Sequence, residues 1–205
     1  AGANGASFAS TGTKNDTAGF SIVSYTGDEN GNDTIFHGLS QKPEWIITKA
    51  RDVVDNWGVF HGTFSSQEYA FLNTTAGKAS ASSMFNALPG TTVFTVGDNA
   101  AVNDDGAMIA YCWHSVKGYS KFGKYVGNGD ADGRFIYTGF KPAFVMQKNV
   151  GATQGWQLQD NKRDGYNGDN DLVQPHSNAN ESGVNRIDIL ANGFKVITTD
   201  AGQNS

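Results

Sequence analysis

What this chain has little of narrows its class. Its 205 residues include one cysteine, Cys112, so no internal disulfide can form. In a sequence this rich in turn residues, that absence favours assembly in a reducing compartment. Cys112 lies in the apolar run Met108-Ile-Ala-Tyr-Cys-Trp113 and reads as a small buried hydrophobe. Charged residues are only 17%, the net charge is −5, and no Lys or Arg cluster occurs. Binding to nucleic acid is therefore not expected, because phosphate affinity needs grouped cations. No apolar stretch approaches the ~18 residues of a spanning helix, so no membrane span is expected. The first residues carry no signal-peptide pattern.

Catalytic patterns are also missing. The four histidines, His37, His61, His114 and His176, stand apart and share no metal-ligand spacing. There is no Gly-x-Ser-x-Gly elbow and no phosphate-binding Gly-Lys loop. Acidic residues gather in turns rather than as a carboxylate pair facing a groove. The expectation is a non-enzymatic protein with no cofactor.

Proline is scarce at 4 and leucine is sparse, whereas glycine reaches 26, with frequent Asn, Asp, Ser and Thr. Gly, Asn and Asp accept the backbone of tight turns and are poor helix formers. The expected class is all-β: a duplicated antiparallel β-sandwich of jelly-roll or lectin-like kind, with little helix.

The duplication is legible in the residues. Gly38-Leu-Ser-Gln-Lys-Pro-Glu-Trp-Ile-Ile-Thr-Lys49, followed by Trp57-Gly-Val-Phe60, is echoed by Gly139-Phe-Lys-Pro-Ala-Phe-Val-Met-Gln-Lys148 and Trp156-Gln-Leu158. Tyr25-Thr-Gly27 precedes the first copy and Tyr125-Val-Gly127 the second. Thr92-Val-Phe-Thr-Val96 follows the first and Gly193-Phe-Lys-Val-Ile197 the second. The period is roughly 100 residues, far above that of a solenoid, so each copy is a small β unit. The division expected is 1–18 as a flexible or edge-pairing arm, 19–118 as the first repeat and 119–205 as the second.

Strands are expected at 20–25, 34–36, 44–48, 57–60, 92–96 and 107–113, the last at the centre of a sheet. Residues 74–85 read as a short helix or a surface loop. Asp98 to Gly106 reads as a hairpin connection. In the second half, strands are expected at 123–126, 135–137, 143–147 and 156–159, with a hairpin across Ala191-Asn-Gly193. Trp57 and Trp156 hold equivalent places and read as core landmarks. The second half stops where the first continues into its best strand, so that half is expected to lack its final strand. Sheets avoid leaving such a place open. Three explanations stay open: truncation or processing, filling by the arm, or filling by another subunit.

A set of motifs carries a family resemblance. Gly19-Phe-Ser-Ile-Val-Ser-Tyr-Thr-Gly27, Val93-Phe-Thr-Val-Gly97, Ile109-Ala-Tyr-Cys-Trp113, Val116-Lys-Gly-Tyr-Ser-Lys-Phe-Gly123, Tyr137-Thr-Gly-Phe-Lys-Pro142 and Asp160-Asn-Lys-Arg-Asp-Gly-Tyr-Asn167 cover nearly the whole chain from Gly19. Together they resemble an uncharacterised domain family found in virion and tail-fibre proteins of marine bacteriophages. That family closes with one more strand of the Tyr-Ile-Tyr-Met-Ala type, which this chain does not reach. The resemblance implies a structural protein of a phage virion surface, tail fibre or decoration layer. Its partners would be copies of itself or other virion proteins, with host-attachment contacts to cell-surface carbohydrate. The alternative is a stand-alone carbohydrate-binding module or adhesin.

Few residues stand out as sites. In the polar segment 160–171, Tyr166 sits between Gly165 and Asn167 with Asp164 nearby. An aromatic ring beside amide and carboxylate groups suits sugar stacking, so Asp164, Tyr166 and Asn167 are the candidate ligand residues. Asp160 to Gly165 has a cation, Lys162, where an EF-hand places a carboxylate or amide, and is not read as one. Asp130, Asp132, Asp169 and Asp171 are the calcium candidates, as ligands from irregular loops. Phe8, the one large apolar residue of the arm, is the assembly candidate.

Overall fold

The computed structural model describes residues 2, 5–163, 167–168 and 171–205. The chain divides into two compact units. Unit 1 comprises residues 1–71 and 78–123; unit 2 comprises 72–77 and 124–205. The division falls after Gly123 rather than at 118, and a six-residue excursion between two strands of unit 1 belongs to unit 2.

Unit 1 contains β1 (Ser10–Asn15), β2 (Phe20–Thr26), β3 (Asp33–Phe36), β4 (Trp45–Ala50), β5 (Gly58–His61), β6 (Glu68–Phe71), β7 (Ala79–Ser80), β8 (Val93–Val96), the one-turn helix α1 (Ala100–Asn103) and β9 (Ala107–Trp113). Seven strands form one antiparallel sheet in the order β1-β2-β9-β4-β5-β6-β7, and β3 pairs with β8. β9 lies inside the sheet, with Met108 opposite Tyr25 on one side and Ala50 on the other. Met108, Ala110 and Cys112 alternate inward and are fully buried, as a half-buried strand of period two requires. Burial raises the Cys112 thiol to about 12, so it stays an inert apolar group. β3–β8 covers the inner face of the sheet, and Tyr25 meets Phe94 edge to face at 6.5 Å.

Unit 2 contains β10 (Phe135–Tyr137), β11 (Phe144–Gln147), β12 (Gln157–Asp160), β13 (Asp171–Val173), β14 (Ser182–Gly183), β15 (Ile187–Leu190), β16 (Gly193–Val196) and α2 (Ala201–Asn204). One sheet runs β11-β12-β13-β14 and the other β10-β16-β15. Val145, Ile187, Ile189, Phe194 and Val196 form the core, with Tyr125 and Ile136 against it. The fold is thus nearly all β, in several antiparallel sheets with a sandwich-like arrangement.

Three local expectations change. Asp98 to Gly106 contains α1, capped by Asn99, whose side chain accepts the Ala101 N–H at 3.0 Å. An Asn cap before Ala-Ala was a readable helix start. Residues 74–85 hold turns and the short β7, and no helix. Residues 123–126 form no strand, and among the described residues no backbone pairs with them. The N-terminal arm is engaged within its own unit: β1 pairs with the outer edge of β2, and the Phe8 ring stacks on Tyr25 at 6.3 Å.

The two units share a pattern of individual hydrogen bonds. In unit 1, the Tyr25 hydroxyl donates to the Val102 carbonyl at 2.6 Å. Buried Asn103 accepts the Asp28 N–H at 3.2 Å and donates to the Asn30 carbonyl. In unit 2, the Tyr125 hydroxyl donates to the Gln203 carbonyl at 2.5 Å. Buried Asn204 accepts the Asn128 N–H at 2.9 Å and donates to the Asp130 carbonyl at 2.6 Å. Tyr125 meets Phe194 at 6.3 Å and 83°, as Tyr25 meets Phe94 at 6.5 Å and 77°. A glycine stands at each crossing: a Cβ on Gly27 would lie 2.2 Å from the Asp104 oxygen, and one on Gly127 would lie 2.4 Å from the Asn204 carbonyl carbon.

Asn103→Ala and Asn204→Ala should therefore each cost about 1–3 kcal/mol, since each strands buried backbone groups. Chemical denaturation checks this; a neutral Asn204→Ala would show that the second clasp does not bear on stability. A pH effect follows from the histidines. His37 is fully buried; its Nε2–H donates to the Gly90 carbonyl, and its Nδ1 accepts the Leu39 N–H. Burial lowers His37, His61 and His176 below the ordinary 6.5. The unfolded chain then takes up these protons first, so the stability from keeping the rings neutral is present above about pH 6.5 and lost as pH falls. The melting temperature should drop from about pH 7.5 to about pH 5, with a shallower slope in His37→Gln.

Candidate functional site

The clearest difference between the units lies beside β11. The Lys-Pro motifs align Trp45, Ile46, Ile47 and Thr48 of β4 with Phe144, Val145, Met146 and Gln147 of β11. β4 has β5 on one side and β9 on the other. β11 has β12 on one side only. Among the described residues no strand occupies the place that β9 fills in unit 1. Trp45 is 8% exposed, but Phe144 is 54% exposed. Val126, beside Tyr125, is also exposed.

The floor of this open place is polar where unit 1 is largely apolar. Gln147, Gln157 and Gln159 stand where unit 1 has Thr48, Gly58 and Phe60, and Gln203 stands where it has Val102. All four glutamines are buried. Gln147 donates to the Tyr125 hydroxyl at 2.5 Å. Gln203 Nε2 donates to Gln147 Oε1 at 2.5 Å and Gln159 Oε1 at 3.0 Å. Burial pushes the Tyr125 phenol up to about 12, so it remains a neutral donor to Gln203. Gln203 Oε1 is buried and finds no hydrogen-bond partner among the described residues, an uncommon state for a buried carbonyl. Sequence reading missed these glutamines; the signal was Gln147 closing an otherwise apolar strand beside a repeat whose counterpart is Thr48.

The residues singled out from sequence do not converge. Asp164, Tyr166 and Asp169 lie outside the described residues. Asn167 holds φ = 53° and braces a strand: its Nδ2 donates to the Ile189 carbonyl at 2.8 Å, and its Oδ1 accepts the Ile189 N–H at 2.7 Å. Its amide is therefore already engaged by backbone. Asp130 and Asp132 share one exposed turn, where Asp130 Oδ1 accepts the Asp132 N–H at 3.0 Å. Asp132 is paired with Lys195, which holds its carboxyl below the usual range. Asp171 opens β13 opposite Gly183. No group of three metal-ligating side chains occurs among the described residues. Among the described residues no helix is long and apolar enough to cross a membrane.

The two landmark tryptophans also diverge. Trp156 is buried at 3% exposure, whereas Trp57 is half-buried. Trp57 lines an open depression on unit 1 with Tyr111, Ile109, Lys49, Arg51 and Asp55. Unit 1 has glycine after its tryptophan, where unit 2 has Gln157.

These features define a two-unit, all-β protein in which β11, unlike its unit 1 counterpart β4, ends its sheet. The whole chain, residues 1–205, belongs to the family described as Domain of unknown function (DUF7483). No curated protein and no solved structure matches it.

Asn167→Ala should destabilise the chain by about 1–3 kcal/mol through loss of its two bonds to Ile189. Urea unfolding measures this. An unchanged midpoint would mean that the Asn167 amide is available for another role.

Proposed function

We propose that this is a non-enzymatic structural protein of a phage particle, a component of the virion surface, a tail fibre or a decoration layer, that assembles through β-sheet edges. One observation carries the assembly reading: β11 ends its sheet with an unpaired edge flanked by exposed Phe144. Natural sheets protect such edges with charge, proline or a covering element, and residues 144–147 carry no charge. Exposed Phe135 and Tyr137 on β10 extend the apolar surface of the same unit. The phage setting rests on the motif resemblance alone. Assembly occurs in the host cytoplasm, which suits a chain with one buried free cysteine.

A second reading has its own observation. The depression beside Trp57 and Tyr111 combines aromatic rings with Lys49, Arg51 and Asp55, the mixture a carbohydrate-binding module or adhesin uses.

Sedimentation and particle imaging separate the two. Assembly predicts a regular higher-order species, alone or with other virion proteins, that is weakened by Phe144→Lys. A chain that stays monomeric with every virion protein offered, and whose melting temperature rises with a glycan unless Trp57 is changed to Ala, would replace the first reading with the second.

A further inference from the structure

We propose that the depression on the outer face of the large sheet of unit 1 binds a linear acidic glycan, with Trp57 and Tyr111 stacking on its sugar rings and Arg51 holding a carboxylate. The proposal deepens the second reading above, on which it rests, and leaves the edge-assembly reading untouched.

The outer face is uncommon for an antiparallel sheet. Such a sheet commonly packs one face on the core and turns a polar face to water. In unit 1 the inner face carries Met108, Ala110 and Cys112, all fully buried. On the opposite face, one row across the strands reads Ile22, Tyr111, Ile47, Val59 and Ala70. The next row reads Phe20, Trp113, Trp45 and His61. Trp113 stacks on Phe20 at 4.7 Å and on Tyr111 at 6.2 Å. Phe122 lies over Trp45, whereas Ile22, Ile47, Trp57 and Tyr111 stay partly open.

The loop from β4 to β5 raises a wall beside this face. The Arg51 N–H donates to the Ala107 carbonyl at 2.8 Å, and Lys49 Nζ donates to the Val53 carbonyl at 3.1 Å, so both ends of the turn are pinned. The resulting depression holds about 610 Å³, within the range of small-molecule sites. Its charged groups are two cations, Lys49 and Arg51, and one carboxylate, Asp55, in a chain of net charge −5. Arg51 is exposed, and its guanidinium makes no ion pair among the described residues. Neighbouring Asp52 is committed elsewhere, since its Oδ2 accepts the Ala107 N–H at 3.0 Å.

The floor selects the kind of ligand. β4 and β9 are interior strands, paired with a neighbour on each side. Strand addition needs a free edge, so a ligand lying on this face meets side chains alone. Rings and charges are what those side chains offer. A sugar ring turns apolar C–H groups toward an aromatic face while its hydroxyls stay in water. Trp57, one residue before β5, continues the β5 register toward Lys49, and Tyr111 lies opposite Ile47 on the far side of β4. Two strand spacings, roughly 9.5 Å, separate their strands. That span suits an oligosaccharide rather than a single sugar. The fork of donors on Arg51 matches a carboxylate in two parallel hydrogen bonds.

The test titrates the full chain with oligomers of galacturonate, mannuronate and glucuronate, each beside its neutral methyl ester, and with cello- and malto-oligosaccharides. Calorimetry gives the affinity. The expected result is 1:1 binding of an oligouronate at least about tenfold tighter than its ester. Arg51→Gln, an exposed substitution, should remove that preference and leave the affinity for the ester unchanged. Trp57→Ala and Tyr111→Ala should each weaken acid and ester alike. Equal binding of acid and ester, a preference for acid that survives Arg51→Gln, binding indifferent to both ring substitutions, or a dimer of the chain that buries Trp57 would each overturn the proposal. If neutral glycans bind through Trp57 and the oligouronates bind no better, the carbohydrate reading stands and the acidic-ligand proposal falls. Silence from every glycan, neutral ones included, overturns both.

Discussion

The structure depends on a clasp in which one short helix is held from two directions. A tyrosine hydroxyl reaches the backbone of the helix, and a buried asparagine at its end ties down the loop after that tyrosine's strand. Each group is almost wholly removed from water, so each hydrogen bond must be made or its partner is left orphaned. The glycine after the tyrosine lets the two backbones cross at a distance no side chain would allow. Unit 2 builds the clasp again from Tyr125, Gly127 and Asn204. Because the clasp fixes Tyr25 and Tyr125 against Phe94 and Phe194, it also sets where each small sheet meets the larger one.

The units then part in chemistry. In unit 1 the clasp leads through residues 104–106 into β9, whose inward side chains are fully buried. Unit 2 keeps the walls of that place but lines its floor with glutamines. A cluster of buried amides is stabilising only when its groups find partners, and Gln203 Oε1 has none. The exposure of Phe144, set against the burial of Trp45, belongs to the same difference.

Much of the fold was readable because its signals are local. The repeated Lys-Pro motifs located the equivalent strands β4 and β11, and the Asn-Gly turn located the β15–β16 hairpin. The two one-turn helices were harder, since four residues leave only a cap as their mark. The site was less legible. Asn167 sits in a polar loop and looked available, but its amide is consumed by Ile189, a partner 22 residues away. The equivalence of Trp57 and Trp156 in sequence did not carry over to burial.

By itself the sequence determined the β class and the lack of familiar catalytic or metal-ligand motifs, because turn residues, strand alternation and such motifs act within a few positions of one another. Only tertiary structure decided that β11 ends its sheet, which glutamines are buried, and that the arm lies along its own unit. Those outcomes depend on backbone from distant parts of the chain meeting or failing to meet, and no short stretch of sequence encodes that.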